Sequence, residues 1–527
     1  MRIASVLSSG QFGRRSLIAF GTLVVGAFSA YELAQYVINN DMTGLAYAGL
    51  CFVGGAIVVG ILHNWRNGVY FFLSWLLFED YARKFLGNNM AIYFAKDFLF
   101  LVVLISFLAA LRRKDVTTFR PPFLVPLLIF IWFSVLQMFN PASTSIWYGL
   151  MGVKIFFYYV PLVFIGYALL NSEAQLRRFF TINLVLAVVV ISLGIAQSII
   201  GPSFLNPAVQ AEDLRKLSGL YRVTESGATA YRPTSVFVSA GRYADFIMVA
   251  WILVLGFSGY ILLRHKKGRI LAFIALPVTA AGAFLTASRG AFLLSIINAL
   301  ATSAAFIWGA PWRQGEALRV FRSLQRVAIG IGLGIILLFY FYPDALLSRL
   351  AIYQEALMPN SPRSELAHRT WTYPVQNFLG AFNYDRWPYG YGIGTTSNGG
   401  QYVARFFNVK PPVVGVESGF GTLVVEMGIG GLILWIIMSV AILFSAWRVV
   451  KKLRGLPWFP VGFVIFWYAF FLLGPATFGG MAAYEDFLLN AYFWLLLGLL
   501  FRLPAIALSP KFAANAPVTQ PARRWMR

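Results

Sequence analysis

Apolar runs of about 16–25 residues recur along nearly the whole chain, each closed by a short polar or basic stretch. Helices of that length match the hydrocarbon thickness of a bilayer. The pattern predicts about fourteen spans, at roughly 16–37, 43–62, 69–82, 96–111, 121–138, 146–170, 180–200, 243–263, 270–286, 290–308, 327–342, 419–446, 458–475 and 487–502. Two longer polar segments interrupt them. The expected fold is therefore an all-α polytopic membrane protein with about 14 transmembrane helices and one large and one smaller external loop. Residues 1–200 hold the N-terminal spans, 201–242 the smaller loop, 243–342 further spans, 343–418 the large loop, 419–502 the C-terminal spans and 503–527 a tail rich in Ala, Pro and Arg. No tandem repeat and no soluble domain with its own core stands out. Met1 to Ser9 is mildly polar and no small-residue cleavage site follows the first run, so a cleaved signal peptide is not expected.

Composition agrees with this pattern. Of the 527 residues 59% are hydrophobic and only 12% charged, with mean hydropathy +0.70. A soluble domain would carry about twice that charge. The net charge of +23 does not call for nucleic acid, because the basic residues gather in short loops between apolar runs. With the N-terminus in the cytoplasm, about 27 of the 43 Lys and Arg fall in inward loops, as the positive-inside rule requires. Both termini are then cytoplasmic and both long polar segments face outward. Cys51 is the only cysteine, which excludes a disulfide within the chain and a thiolate metal cluster. His63, His265 and His368 are too few and too scattered for a zinc site. A cysteine protease is excluded, since Cys51 lies in an apolar run with no histidine on its face. Neither metal nor cofactor is expected.

The chemistry-bearing residues lie in the outward segments. Isolated arginines stand beside aromatics and turn residues in "YRVTESGATAYRPTSVFVSAGRYADF" and in "SPRSELAHRTWTYPVQNFLGAFNYDRWPYGYGIGTTSNGG". Arg232 and Arg242 lie at the mouth of the eighth span. Arg289 lies where the ninth span hands over to the tenth with almost no loop. An arginine on the side that basic residues avoid must snorkel, pair with an acid or bind an anion. Its planar fork of donors fits phosphate oxygens. The competing reading is headgroup contact, or ion pairs with Glu225, Asp245 or Glu365. Glu417 begins the twelfth span; it is either a helix-end carboxylate with Ser418 as cap or a general base. Trp371, Tyr373, Tyr384, Trp387, Tyr389 and Tyr391 would stack on sugar faces or form an interfacial belt. "YGYGIGTTSNGG" lacks the ending of a phosphate loop and reads as a tight turn.

Three stretches, in order, resemble the O-antigen ligase and O-antigen polymerase superfamily of bacterial envelope enzymes. "TASRGAFLLSIINAL" is similar to that family's Ser-Arg-Gly at a helix start, "YGYGIGTTS" to its Gly-x-Gly turn, and "ESGFGTLVVEMGIGGLILWII" to the helix closing the loop, with Glu426, Gly428 and Gly431 as its signature. "YRPTSVFVSAGRYADF" is a looser match, and the resemblance covers about residues 220–445. It implies work on undecaprenyl-diphosphate-linked glycans at the periplasmic face of the inner membrane, without metal or nucleotide sugar. It implies that Arg232 and Arg289 hold the diphosphate leaving group. The lipid-A-core ligases carry a His-Asn pair where this chain has Glu417 and Ser418, a departure that favours the polymerase branch.

The expectation is a glycosyltransferase that polymerises lipid-linked oligosaccharide repeat units in the membrane, with a chain-length regulator as a possible protein partner and no nucleic acid. Glu417, Arg289 and Arg232 are the expected catalytic residues. Arg242, Ser288, His368, Arg369, Trp387 and Tyr391 are the expected substrate-binding residues. The alternatives are a ligase that transfers finished glycan to lipid A or a protein, and a flippase for the same lipid-linked glycan. Transporters place ionisable groups near the midplane, and here Lys154 is the one plainly intramembrane base.

Overall fold

The computed structural model describes residues 42–86, 90–207, 219–224, 229–264, 268–309, 339–358, 372–397, 399–409, 416–479 and 483–507, with isolated positions between. The chain is a helical membrane protein. Helices in order are α1 (Met42–His63), α2 (Trp65–Leu86), α3 (Met90–Arg112), α4 (Leu124–Gln137), α5 (Ile146–Phe157), α6 (Leu162–Leu169) and α7 (Glu173–Ile200). Then come α8 (Ala240–Arg264), α9 (Arg269–Leu285), α10 (Arg289–Gly309), α11 (Pro343–Leu357), α12 (Tyr373–Gly380), α13 (Gly400–Phe407), α14 (Gly419–Leu453), α15 (Phe459–Phe471) and α16 (Phe487–Ala507). Among the described residues eight helical stretches are long and apolar enough to cross a bilayer: α3, α5 with α6, α7, α8, α10, α14, α15 with its continuation to Ala476, and α16.

The structure departs from the expected pattern in several places. The runs at 121–138 and 270–286 form α4 and α9, apolar helices of 14 and 17 residues that are not among the eight. The run at 69–82 forms the full helix α2, yet Glu79, Asp80, Arg83 and Lys84 crowd its last two turns, so it is not among the apolar spans. The polar segment expected to begin at Pro343 is helical to Leu357. Pro343 stands in the first turn of α11, where its missing N–H costs nothing. The preceding helical stretch Gly332–Phe341 and residues Leu346–Leu357 are bent by 117° at this break. The smaller loop carries an antiparallel hairpin, β1 (Tyr221–Val223) on β2 (Thr229–Tyr231), with Tyr221 opposite Tyr231. The expected first span, 16–37, lies outside the described residues, and the eleventh, 327–342, is described in part.

The core centres on α16, in which every residue from Phe487 to Leu500 is buried. It packs most closely on α6, and small residues make that possible. A Cβ on Gly166 would stand 2.2 Å from the Leu495 carbonyl oxygen, and one on Gly498 would stand 2.1 Å from that of Val163. Membrane helices gain nothing from hiding apolar surface from lipid, so close backbone approach of this kind drives their association. The outward faces are apolar too: Val125, Leu128, Ile129 and Trp132 on α4 and Ile433, Ile436, Ile437 and Val440 on α14 are exposed.

Polar contacts collect at the two ends of the bundle. At one end Arg502 Nε donates to the Leu170 carbonyl (2.9 Å), Gly455 N donates to Gly309 O (2.8 Å), and Tyr260 bonds to Glu173. At the other, the C-terminus of α2 meets the N-termini of α8 and α16 through Asp80, Arg242 and Asp486. There Gln197 at the end of α7 accepts from Thr234 N (2.8 Å) and Ser235 N (2.7 Å). Ser418 Oγ donates to the Phe478 carbonyl just past α15, at the same end. Both long polar segments thus hang from one end.

A side chain between α6 and α16 has nowhere to go. Replacing Gly498 with valine is expected to destabilise the protein by about 1–3 kcal/mol or more, as overpacking does. Thermal unfolding in detergent checks this, with Gly290→Ala, where nothing lies within 4 Å of the new methyl, as the control.

Candidate functional site

Arginine 289 opens α10 after a turn of three residues. Ala287 in that turn holds φ 51, a left-handed conformation that a non-glycine residue adopts at a cost. Ser288 donates its N–H to Thr286 Oγ1 (3.1 Å), and its carbonyl accepts from Phe292 N (3.0 Å), which makes it the first cap of α10. Arg289 is consequently fixed at the helix start. It is buried, and its Nη2 lies 3.4 Å from Glu355 Oε1 on α11.

Arg349, on the same helix as Glu355, is only 2% exposed. Its Nε donates to the Leu285 carbonyl (3.0 Å), the last residue of α9, and its Nη2 donates to the Tyr231 carbonyl (2.9 Å), the residue before Arg232. One guanidinium therefore joins the turn that carries Arg289 to the strand end that carries Arg232. Tyr353, one turn further on, stacks on Phe292 with ring centroids 4.1 Å apart and donates to the Phe284 carbonyl. Ala230, Ala287, Ile352 and Tyr353 form a small apolar cluster under these arginines. Arg232 is half-buried; its Nη1 donates to the Gly219 carbonyl (3.4 Å), and its Nε is buried with no hydrogen bond among the described residues. Burial lowers its pKa from the usual arginine value, while Tyr353 and Asp245 act the other way. It stays a cation at any working pH, and an anionic ligand would relieve the cost of burying it.

Arg242 is engaged differently. Its Nη1 donates to both Asp80 oxygens (2.8 and 3.0 Å), and its Nε lies 3.6 Å from Asp486. Asp80 also accepts from Arg83 (3.0 Å). Beside them Lys96 pairs with Glu79 (2.9 Å) and Lys154 with Asp97 (2.5 Å), while Lys84 donates to Thr234 Oγ1 (2.9 Å) and Ser235 O (2.7 Å). The base singled out as intramembrane, Lys154, thus belongs to a wider set of buried pairs. Asp245 lies within electrostatic reach of Arg232, Arg242 and Asp486, and so links this set to the arginines above. Arg242 thereby ties the start of α8 to α2 and to the start of α16.

Glu417 is exposed and takes a hydrogen bond from the Tyr373 hydroxyl. Among the described residues no contact joins it to Arg232 or Arg289. Ser418 caps α14 by accepting from Gly421 N (3.3 Å). The carboxylate that organises this region is Glu426. It is fully buried, and Gly394 N (2.8 Å), Thr396 N (2.9 Å), Thr396 Oγ1 (2.7 Å) and Ser397 N all donate to it. The helix breaks two residues later at Gly428, where φ is 70 and a Cβ would stand 2.3 Å from the Pro388 carbonyl oxygen. The break frees carbonyls that the turn satisfies: Tyr391 N donates to Val425 O (2.8 Å) and Gly392 N to Glu426 O (2.9 Å). Irregular backbone at membrane depth is tolerated only when paired in this way. Within the turn Tyr391 meets Tyr384 edge-on (6.3 Å) and Trp387 lies against Phe382 (5.4 Å), so these two rings pack in the turn itself. A groove of about 670 Å³ opens beside it, lined by Phe133, Leu136, Arg386, Tyr389 and Ile429 among others.

The structure brings Arg232, Arg289 and Ser288 together around α11, pairs Arg242 with Asp80 and Asp486, and holds Trp387, Tyr391 and Glu417 on the segments around α12 and α14. His368, Arg369 and Trp371 lie outside the described residues. The sequence reading missed Arg349 and Glu355. The stripe Ile352, Tyr353, Ala356 after Pro343 has helical spacing and marks α11, but nothing in it signals a buried arginine. No protein-family model matches the chain, and no curated protein matches it.

Glu426 accepts four donors that an amide cannot all serve. Glu426→Gln is expected to weaken the 390–397 turn by about 1–3 kcal/mol, the cost of leaving buried donors unpaired. Hydrogen exchange of the 391–397 amides checks it: faster exchange there, with α16 unchanged, is the expected result.

Proposed function

We propose that this chain is a metal-independent membrane glycosyltransferase that polymerises oligosaccharide repeat units carried on a polyprenyl diphosphate. The observation that carries the reading is the arginine cluster: Arg232 and Arg289 stand on separate segments that Arg349 ties together, at the end of the bundle from which both polar segments hang. Fixed guanidinium groups need no reorganisation when negative charge grows on a departing diphosphate, and such preorganised donors are the largest single contribution in many transfers. The donor's hydrocarbon chain would lie along the apolar outer faces of the helices, and its glycan in the polar segments above. A sugar hydroxyl of a second repeat unit would attack the anomeric carbon and invert it.

In this reading the cluster faces the periplasm, the membrane is the bacterial inner membrane, about fourteen spans cross it, and both termini are cytoplasmic. The charge bias of the short loops supports that orientation. A chain-length regulator would dock from outside the site. A ligase would use the same cluster and differ only in its acceptor. The Asp97–Lys154 and Glu79–Lys96 pairs are the observation that favours a transporter, but each neutralises itself within the bundle.

Membrane vesicles supplied with a lipid-linked repeat unit test the proposal. The expected product is a ladder on the lipid carrier; glycan on another carrier identifies a ligase, and translocation without bond formation a transporter. Arg289→Ala and Arg232→Ala should each slow chain growth about 10²–10³-fold, the usual cost of removing one such donor. Growth at the original rate in both variants would falsify the assignment.

A further inference from the structure

Glu355 is 9% exposed, and neither of its carboxylate oxygens has a hydrogen bond among the described residues. Its Oε1 lies 3.4 Å from Arg289 Nη2, beyond the length of a strong charge-assisted hydrogen bond. Burying a carboxylate without donors is costly. A buried acceptor left unserved in a folded protein calls for an explanation, and a catalytic role with a donor arriving from outside is one. The hydroxyl of a sugar is such a donor. Glu417, which its position at a helix start recommended as the base, is exposed, and the Tyr373 hydroxyl donates to its Oε2.

We infer that Glu355 is the residue that accepts the proton from the incoming sugar hydroxyl, and that Glu417 is not. The inference rests on the reading of Arg232 and Arg289 as the diphosphate site. The Glu355 carboxylate takes the hydroxyl proton as the hydroxyl oxygen forms its bond to the anomeric carbon. The bond from that carbon to the phosphate oxygen breaks, and its electron pair leaves with the polyprenyl diphosphate, which Arg232 and Arg289 hold. Glu355, now protonated, returns its proton to water after the product moves on. Arg289, 3.4 Å from the carboxylate, holds the leaving group within the same site. Tyr353 and Arg349 hold α11 against the turn before Arg289, so the carboxylate keeps this position whether or not substrate is present.

A plain counter-ion role for Glu355 makes a different prediction, because it acts on donor binding and not on proton transfer. The test uses the full chain in vesicles, with an undecaprenyl-diphosphate-linked repeat unit as donor and acceptor, and reads kcat and KM separately. Glu355→Gln is expected to lower kcat about 10²–10⁴-fold, the usual contribution of a general base, with KM for the donor changed by less than about threefold. Glu355→Asp, which withdraws the carboxylate by one methylene, is expected to lower kcat at least about tenfold at unchanged KM, and it carries the test if the glutamine variant fails to accumulate in the membrane. Unchanged kcat in either variant, or a loss confined to KM, overturns the inference. Loss of kcat in Glu417→Gln with full activity in Glu355→Gln returns the role to Glu417 and leaves the arginine reading standing. Chain growth that survives Arg232→Ala and Arg289→Ala removes the reading beneath both.

Discussion

A charge buried in the helix bundle has no water to fall back on, and the structure follows from how its charges find one another. Asp80 is the hub. It takes Arg83 from its own helix and Arg242 from α8, while Asp486 at the start of α16 approaches the same guanidinium. Glu79 with Lys96 and Asp97 with Lys154 extend the set to α3 and α5. Pairs of this kind add little net stability, but breaking one by removing a single partner costs about 3–5 kcal/mol. They therefore fix the relative placement of five helices at one end. The polar segments are attached to that end.

Two further devices join segments of the chain. Arg349 has a charge that a lipid-facing position would not tolerate, and it uses the charge on two backbone carbonyls, one at the end of α9 and one beside Arg232. It behaves as a cross-link between segments far apart in the chain. Glu426 does the same for the large segment, with a carboxylate that gathers four donors from a glycine-rich turn. The break at Gly428 is part of this device, because an unbroken helix would have no free carbonyls for Tyr391 and Gly392 to bond. In both places a buried ionic side chain is satisfied largely by backbone groups.

The same geometry changes the roles that position along the chain suggests. Arg242 and Arg232 look alike as arginines at the mouth of one helix. Only Arg232 lacks a carboxylate within ion-pair distance among the described residues, because Asp80 and Asp486 reach Arg242 first. Glu417 and Glu426 both stand near the start of α14. The first is exposed, and the second is buried and committed to the turn. Trp387 and Tyr391 are drawn into ring contacts within their own segment.

Sequence alone determined that the chain is a helical membrane protein and where its long apolar helices lie among the described residues, since the length of an apolar run is a one-dimensional property that the bilayer reads directly. It also singled out Arg232 and Arg289, because an arginine at the end of an apolar run is costly and has few explanations. It could not identify Arg349 or Glu355. Their significance is that α11 folds back after Pro343 and delivers them to α9, α10 and β2, and no local pattern encodes that return. Which charges neutralise one another is a question of distances across the bundle. Those are set by helix packing around α16, by the close approach at Gly166 and Gly498 and by the pairs around Asp80, and only the tertiary structure contains them.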